Sequence, residues 1–170
     1  APADLREATR MCAEARNPVI LIGGGALKSA EALRRFAEAL DAPVISTINA
    51  RGVMTGHDLD VPASPSLGSV RDLLKGADLV LALGTELGQT DCDMNADGGF
   101  ALPANLIRVD IDAGQLERGG TPVLAIKADL GAFLEDMHGA MDNWRAPSPG
   151  QGASRARSTR EQALAEIGDA

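Results

Sequence analysis

Three short stretches place residues where they could do chemistry. The first is Gly23-Gly24-Gly25, which closes the apolar run Pro18–Ile22 and precedes Lys28-Ser29. A glycine turn between a strand and a helix offers backbone N–H groups and a helix dipole to a phosphate. The dinucleotide fingerprint is incomplete, because Lys28 stands at its third glycine position and the second strand ends Ser46-Thr47-Ile48-Asn49 with no acid for a ribose hydroxyl. A Walker A loop is also missed, since Leu27 stands where that loop needs glycine. Two readings stay open: a phosphate site, and a tight turn that only needs small residues.

The second stretch, Asp93-Met94-Asn95-Ala96-Asp97-Gly98, matches the first, third, fifth and sixth positions of an EF-hand calcium loop. Its ninth position is Ala101, its twelfth is Ala104 where the bidentate glutamate belongs, and Pro103 interrupts the exit helix. A solvated acidic loop is the expectation, with the Cys92 thiol kept unreactive by the charges of Asp91 and Asp93. The third stretch is Asp110 and Asp112 of Val-Asp-Ile-Asp, at a strand end where acids cap the next helix. His57 and His138 belong to no metal-ligand pair and are expected to be solvated, and no serine sits in a nucleophile elbow. No complete catalytic set forms, and no metal site.

The elements that position these residues follow from periodicity. Leu5, Ala8, Cys12 and Ala15 recur at helical spacing, as do Ala30, Leu33, Phe36, Ala37 and Leu40. Further helices are expected over Ser66–Lys75 and from Leu130 to about Met141. Apolar runs at Val19–Ile22, Val44–Thr47, Leu79–Leu83, Leu106–Asp110 and Val123–Ile126 read as five strands. Strands apolar on both faces and alternating with helices imply an α/β fold whose parallel sheet is covered on both sides.

The 170 residues suit one domain plus a tail. The net charge of −8 disfavours nucleic acid and anionic membranes as partners. With 45% hydrophobic but 2% aromatic residues, the core is left to Ala, Val, Leu and Ile. No apolar run approaches the ~20 residues of a membrane span, and the opening residues lack the order of a signal peptide, so a cytoplasmic location is expected. Cys12 and Cys92 read as free thiols, Cys12 as a small core residue. After Trp144, the stretch Ala146–Ser154 reads as a linker leading past Arg155, Arg157 and Arg160 to a short helical pattern, Thr159–Ile167, with no partner in the chain. The expectation is therefore a domain over 1–144, with 145–170 a poorly packed linker and the start of a following domain in a longer polypeptide.

The blocks NPVILIGGGA, APVISTINARGVMTGHD, ADLVLALGTELGQTD, NLIRVDID and PVLAIKADLGAFL, in that order, resemble the central domain of thiamine-diphosphate-dependent enzymes, the group of acetolactate synthase and the 2-oxo acid decarboxylases. The resemblance runs from roughly Ala13 to Leu134. Within the group, GTELGQTDCDMNADGGF is most similar to the decarboxylases of 5-guanidino-2-oxopentanoate, the keto acid of arginine. It implies a doubly wound, Rossmann-like parallel sheet of six strands, the sixth near Asp60–Ala63, in the middle of three domains of a homo-oligomer. The glutamate that activates the thiamine ring belongs to the first domain and the Gly-Asp-Gly motif for magnesium and diphosphate to the third. Neither occurs here, and Gly168-Asp169-Ala170 lacks the downstream asparagine. Thiamine diphosphate and magnesium thus belong to the parent enzyme, and the chain alone is expected to catalyse nothing.

Some members of this group carry FAD in the central domain. By position its contacts would fall on Gly23, Gly24 and Gly25, on Thr47, Ile48 and Asn49, on Gly84, Thr85 and Glu86, on Asp110 and Ile111, and on Asp129. The sequence departs from those members in two places: Ser64–Ser69 (SPSLGS) replaces their Gly-Met-His-Gly type loop, and Glu86 replaces their arginine. A vestigial nucleotide crevice is the resulting expectation. The alternative is an FAD-binding electron-transfer flavoprotein module, which shares the sheet topology and the glycine turn, and a third reading is a pure scaffold between two catalytic domains.

Overall fold

The apolar runs of the sequence become the strands of one sheet in the computed structural model, which describes residues 2–94 and 97–169. Asn95 and Ala96 of the calcium-like stretch, and Ala170 of Gly168-Asp169-Ala170, lie outside the described residues. The strands are Pro18–Ile22 (β1), Val44–Ser46 (β2), Asp60–Val61 (β3), Leu79–Leu83 (β4), Leu106–Asp110 (β5) and Leu124–Lys127 (β6). All pair in parallel, in the order β3-β2-β1-β4-β5-β6. This is the doubly wound arrangement, whose strand order reverses between β1 and β4. β2 stops one residue earlier than its apolar run suggests, because Thr47 leads into a 3₁₀ turn over Ile48–Ala50.

The helices are Pro2–Glu14 (α1), Ala30–Leu40 (α2), Gly68–Lys75 (α3), Gln89–Cys92 (α4), Ala113–Leu116 (α5), Leu130–Ala140 (α6) and Gln151–Gly168 (α7). Strand residues alternate between two cores. Ile20, Ile22, Leu81 and Val109 face α1, α2 and α6, while Val19, Leu21, Val80 and Ala82 face α3 and α7. Cys12 is fully buried in the first core, and burial pushes its thiol up to about 12. None of the described helices is long and apolar enough to cross a membrane.

Arg108 is an exception to the apolar pattern. It lies on β5 facing the same side as Leu106 and is 1% exposed. Its guanidinium donates to the carbonyls of Thr85, at 2.9 Å, and Arg118. Burial lowers its pKa, as removal from water does for any cation. The side chain thereby ties the loop after β4 to the loop after α5.

The expectation for residues beyond Pro147 is overturned. Gln151–Gly168 forms one continuous helix lying against α3, with Gly152, Ala156, Thr159 and Ala163 buried at helical spacing. The linker reading failed because it asked for large apolar side chains, and α7 docks through small ones. Gly152 comes so close to the carbonyl of Asp41 that a Cβ there would lie inside it.

Candidate functional site

The loops that follow β1, β2, β4, β5 and β6 converge at one end of the sheet. They enclose a crevice of about 630 Å³ at the point where the strand order reverses. Gly23, Gly24, Gly25, Thr47, Asn49, Gly84, Thr85, Glu86, Asp110, Ile111 and Asp129 all line it. Ile48 does not: its side chain is half exposed on the 3₁₀ turn, and its N–H donates to the Asp91 carboxylate at 3.2 Å. Asp91 and Gln115 line the crevice although nothing in the sequence pattern placed them there. Gln115 is carried there by α5, which Asp112 starts by accepting from Gly114 N–H.

The glycine turn is closed upon the neighbouring loop. Gly23 N–H donates to Leu83 O at 3.2 Å, Gly25 N–H to Gly84 O at 3.1 Å, and Ala26 N–H to Gly23 O at 3.0 Å. These groups are spent on the chain's own carbonyls. A Cβ on Gly23 would lie 2.4 Å from Gly84 O, and one on Gly25 2.9 Å from Gly84 Cα. Gly84 itself sits at φ +57, where glycine costs least. The residues after the turn form a 3₁₀ helix over Gly24–Ser29, with no side-chain cap at Gly23. Glycine is needed here so that two loops can touch.

Charge in the crevice has the wrong sign for a phosphate. Glu86, Asp91, Asp110, Asp112 and Asp129 line it against Lys28 alone. Several of these carboxylates also accept from the chain's own N–H groups. Asp110 accepts from Asp112 N–H at 2.9 Å, and Asp129 accepts from Ala132 N–H at 3.0 Å to start α6. With the N–H groups of Gly23, Gly25 and Ala26 engaged and five carboxylates lining the crevice, the residues present do not fit the pyrophosphate of FAD or a magnesium-bound diphosphate. Among the described residues no group of three or more His, Cys, Asp or Glu side chains could hold a metal ion.

The acidic loop is likewise filled from inside. Arg71 on α3 reaches Asp93 at 3.2 Å and Asp97 at 2.9 and 3.1 Å. Asp93 also accepts from the N–H groups of Asp97 and Gly98, and Asp97 from that of Gly99 at 2.8 Å. Those bonds, the Gly99 N–H foremost and Arg71 next, hold the Asp97 carboxyl below the usual aspartate range. The loop is therefore pinned to α3 through Arg71 rather than simply solvated. The Cys92 thiol is pushed up to about 12, chiefly by burial and only secondarily by Asp91 and Asp93.

His57 is not a solvated side chain: its Nδ1 accepts from Leu59 N–H at 3.1 Å, and its Nε2 faces Glu38 Oε1 at 2.8 Å. His138 is exposed in the last turn of α6. A second depression of about 470 Å³, beside Trp144 and the ends of α2 and α6, collects charges of both signs and no nucleophile with a base.

The sequence matches a family described as thiamine pyrophosphate enzyme, central domain, over residues 5–137. A protein of Pseudomonas aeruginosa named probable 2-ketoarginine decarboxylase is 35% identical over 132 residues, covering 77% of this chain and 23% of its own length. Acetolactate synthase 2 of Nicotiana tabacum, a chloroplastic protein, is 30% identical over 145 residues, covering 82% of this chain and 21% of its own length. The acetolactate synthase of Mycobacterium leprae is 29% identical over 148 residues, with 84% and 23% covered. The chain thus spans less than a quarter of these relatives, which extend well past the region they share with it. Neither the family match nor these relatives support the flavoprotein alternative.

Proposed function

The chain belongs to the family of thiamine pyrophosphate enzyme central domains, and from that premise we propose that it is the middle domain of a 2-oxo acid decarboxylase or an acetolactate-synthase-like carboligase. In this reading thiamine diphosphate supplies the electron sink for cleavage beside a ketone, and the flanking domains of the same polypeptide hold it with magnesium. The parent is a cytoplasmic homo-oligomer. Its substrate is the keto acid of arginine, a choice supported by the 35% identity to the Pseudomonas protein of that name.

The role of this chain is to fix two catalytic domains at a set distance. The observation that carries this is the glycine turn: the N–H groups of Gly23 and Gly25, which would receive a pyrophosphate, are bonded to Leu83 and Gly84 instead. The crevice is a vestige of a nucleotide site, and the sheet around it serves as a spacer. Residues 1–144 carry the sheet, and 145–170, with α7 docked on it, lead toward the next domain.

The full-length enzyme tests this. With thiamine diphosphate and magnesium it should release carbon dioxide from 5-guanidino-2-oxopentanoate, and it should do so without added or bound flavin. The purified 170-residue chain should release none. Turnover by the isolated chain, or a flavin requirement of the full enzyme, would overturn the reading, and acetolactate formation from pyruvate would move it to the carboligase branch.

A further inference from the structure

α2 and α7 both cover the sheet, but they are attached differently. α2 buries Leu33, Phe36 and Leu40, whereas nothing larger than Thr159 is buried from α7. The large apolar residues of α7, Leu164 and Ile167, are 71% and 59% exposed. Burial of methyl-sized groups contributes little compared with burial of leucine and phenylalanine. Polar ties hold α7 instead.

There are four of them along its length. The Asp41 carboxylate accepts from Gly152 N–H at 2.8 Å, and Arg155 donates to Pro18 O at 2.9 Å. Arg160 donates to Asp58 O at 3.0 Å and Asp60 O at 2.7 Å. Glu166 accepts from Gly68 N–H at 2.7 Å, and from Ser69 N–H and Ser69 Oγ at 3.1 Å. In every tie a charged side chain meets a backbone group, a bond stronger than one between neutral groups.

Two of the ties replace structure the sheet and its helices lack. β3 is an edge strand, and Leu59 O faces β2, where it accepts from Val44 N–H at 2.8 Å. Alternation then turns Asp58 O and Asp60 O to the open edge, where Arg160 satisfies both as a further strand would. α3 has no side-chain cap of its own, and neither does α7. Glu166 caps the first and Asp41 caps the second, each carboxylate placed at the positive end of a helix.

We propose that α7 is a reversible docking strap, held on the domain by ionic side chains on backbone groups and able to leave as a unit while the sheet stays folded. The family match ends at residue 137, and the connection over residues 141–150, which contains Pro147 and Pro149, separates α6 from α7. Docked, the strap fixes the segment beyond the family domain on the α3 side. Released, it frees that segment, opens the β3 edge and uncaps α3.

Hydrogen exchange by mass spectrometry on the whole 170-residue chain tests this. Amides of α7 should exchange as a block, together with the first turn of α3, and faster than those of β1 and β4. Glu166→Gln and Arg160→Gln should each speed the α7 block about tenfold with β1 and β4 unchanged. Arg157→Gln, on an exposed α7 residue, should change nothing. If α7 exchanges at the rate of β1 and β4, or if both substitutions leave the block unchanged or speed all amides alike, α7 belongs to the cooperative core and the strap is refuted.

Discussion

The glycine turn at Gly23–Gly25 and the acidic loop from Asp93 to Gly98 both look like ligand cradles in the sequence, and the folded chain fills both itself. The fillings differ in kind. At the turn, main-chain donors meet the carbonyls of Leu83 and Gly84. At the loop, carboxylates meet the guanidinium of Arg71 as well as local N–H groups. A backbone closure can be broken only by forcing the two loops apart, while a closure resting on one side chain is open to a single substitution. In both, donors and acceptors count toward a ligand only after those used by the fold are set aside.

The largest effect should come from forcing the turn open. In Gly23→Ala the new methyl meets Gly84 O at 2.4 Å and Thr85 Cα at 2.5 Å, both main-chain atoms with little freedom to move. Overpacking of this kind should cost about 3 kcal/mol, or about 10 °C in Tm for a domain of this size. Gly24→Ala meets nothing closer than Asn49 Cβ at 3.3 Å and should cost well under half as much. Equal, small losses in thermal unfolding would mean that the turn is not closed on β4, and the phosphate reading would return.

Removing Arg71 is the corresponding break at the loop. Arg71→Ala deprives Asp93 and Asp97 of their cation and should cost about 1–2 kcal/mol by chemical denaturation, since hydrogen bonds to charged groups carry contributions of that order. Amide exchange at Gly98 and Gly99 should rise in the same variant, with the Gly23 and Gly25 amides unaffected. An unchanged loop would show that its own N–H groups suffice.

Ligand titration separates the two closures with a smaller signal. FAD at micromolar concentrations should produce no change in flavin absorbance, because the pyrophosphate would meet Glu86, Asp110 and Asp129 with the N–H groups of Gly23 and Gly25 already engaged. Calcium should not raise the Tm of the unsubstituted chain. A stoichiometric yellow complex would mean that the glycine turn yields its donors to a ligand after all.

Much of the sheet was legible in the sequence, because buried parallel strands are apolar on both faces and leave continuous runs such as Leu79–Leu83. β3 was not visible as a run: two residues, one of them Asp60, carry no periodicity, and its place came from the family resemblance. The convergence of the crevice residues followed from the topology, yet their chemistry did not. Whether an N–H is free depends on the distance between the loops after β1 and β4, which local sequence does not encode. Arg108 was hidden in an apolar run, since its partners are carbonyls of residues far along the chain. A helical pattern was legible over Thr159–Ile167, but the start of α7 at Gln151 and its docking were not: Gly152, Ala156, Thr159 and Ala163 bury little area, and its anchors at Asp41, Pro18 and the β3 edge are distant in sequence.

The smallest effect, and the sharpest division between the two closures, is their response to acid. The Asp97 carboxyl sits below the usual aspartate range because Gly99 N–H and Arg71 favour its ionised form. A group whose folded pKa lies below its unfolded one adds stability above the unfolded value and loses it as pH falls through the folded one. The loop should therefore loosen only in acid, once pH falls below the unfolded aspartate value of about 3.9, and stay unchanged from neutrality to about pH 5. No titratable group takes part in the bonds of Gly23 and Gly25, so their closure should not respond over the same range. Amide exchange corrected for intrinsic rates would report both regions in one experiment. The protection of Gly99 should fall on acidification while that of Gly25 holds, and Asp97→Asn should remove the acid step at Gly99. Parallel loss at both glycines would mean that acid opens the whole domain rather than the one closure that carries a charge.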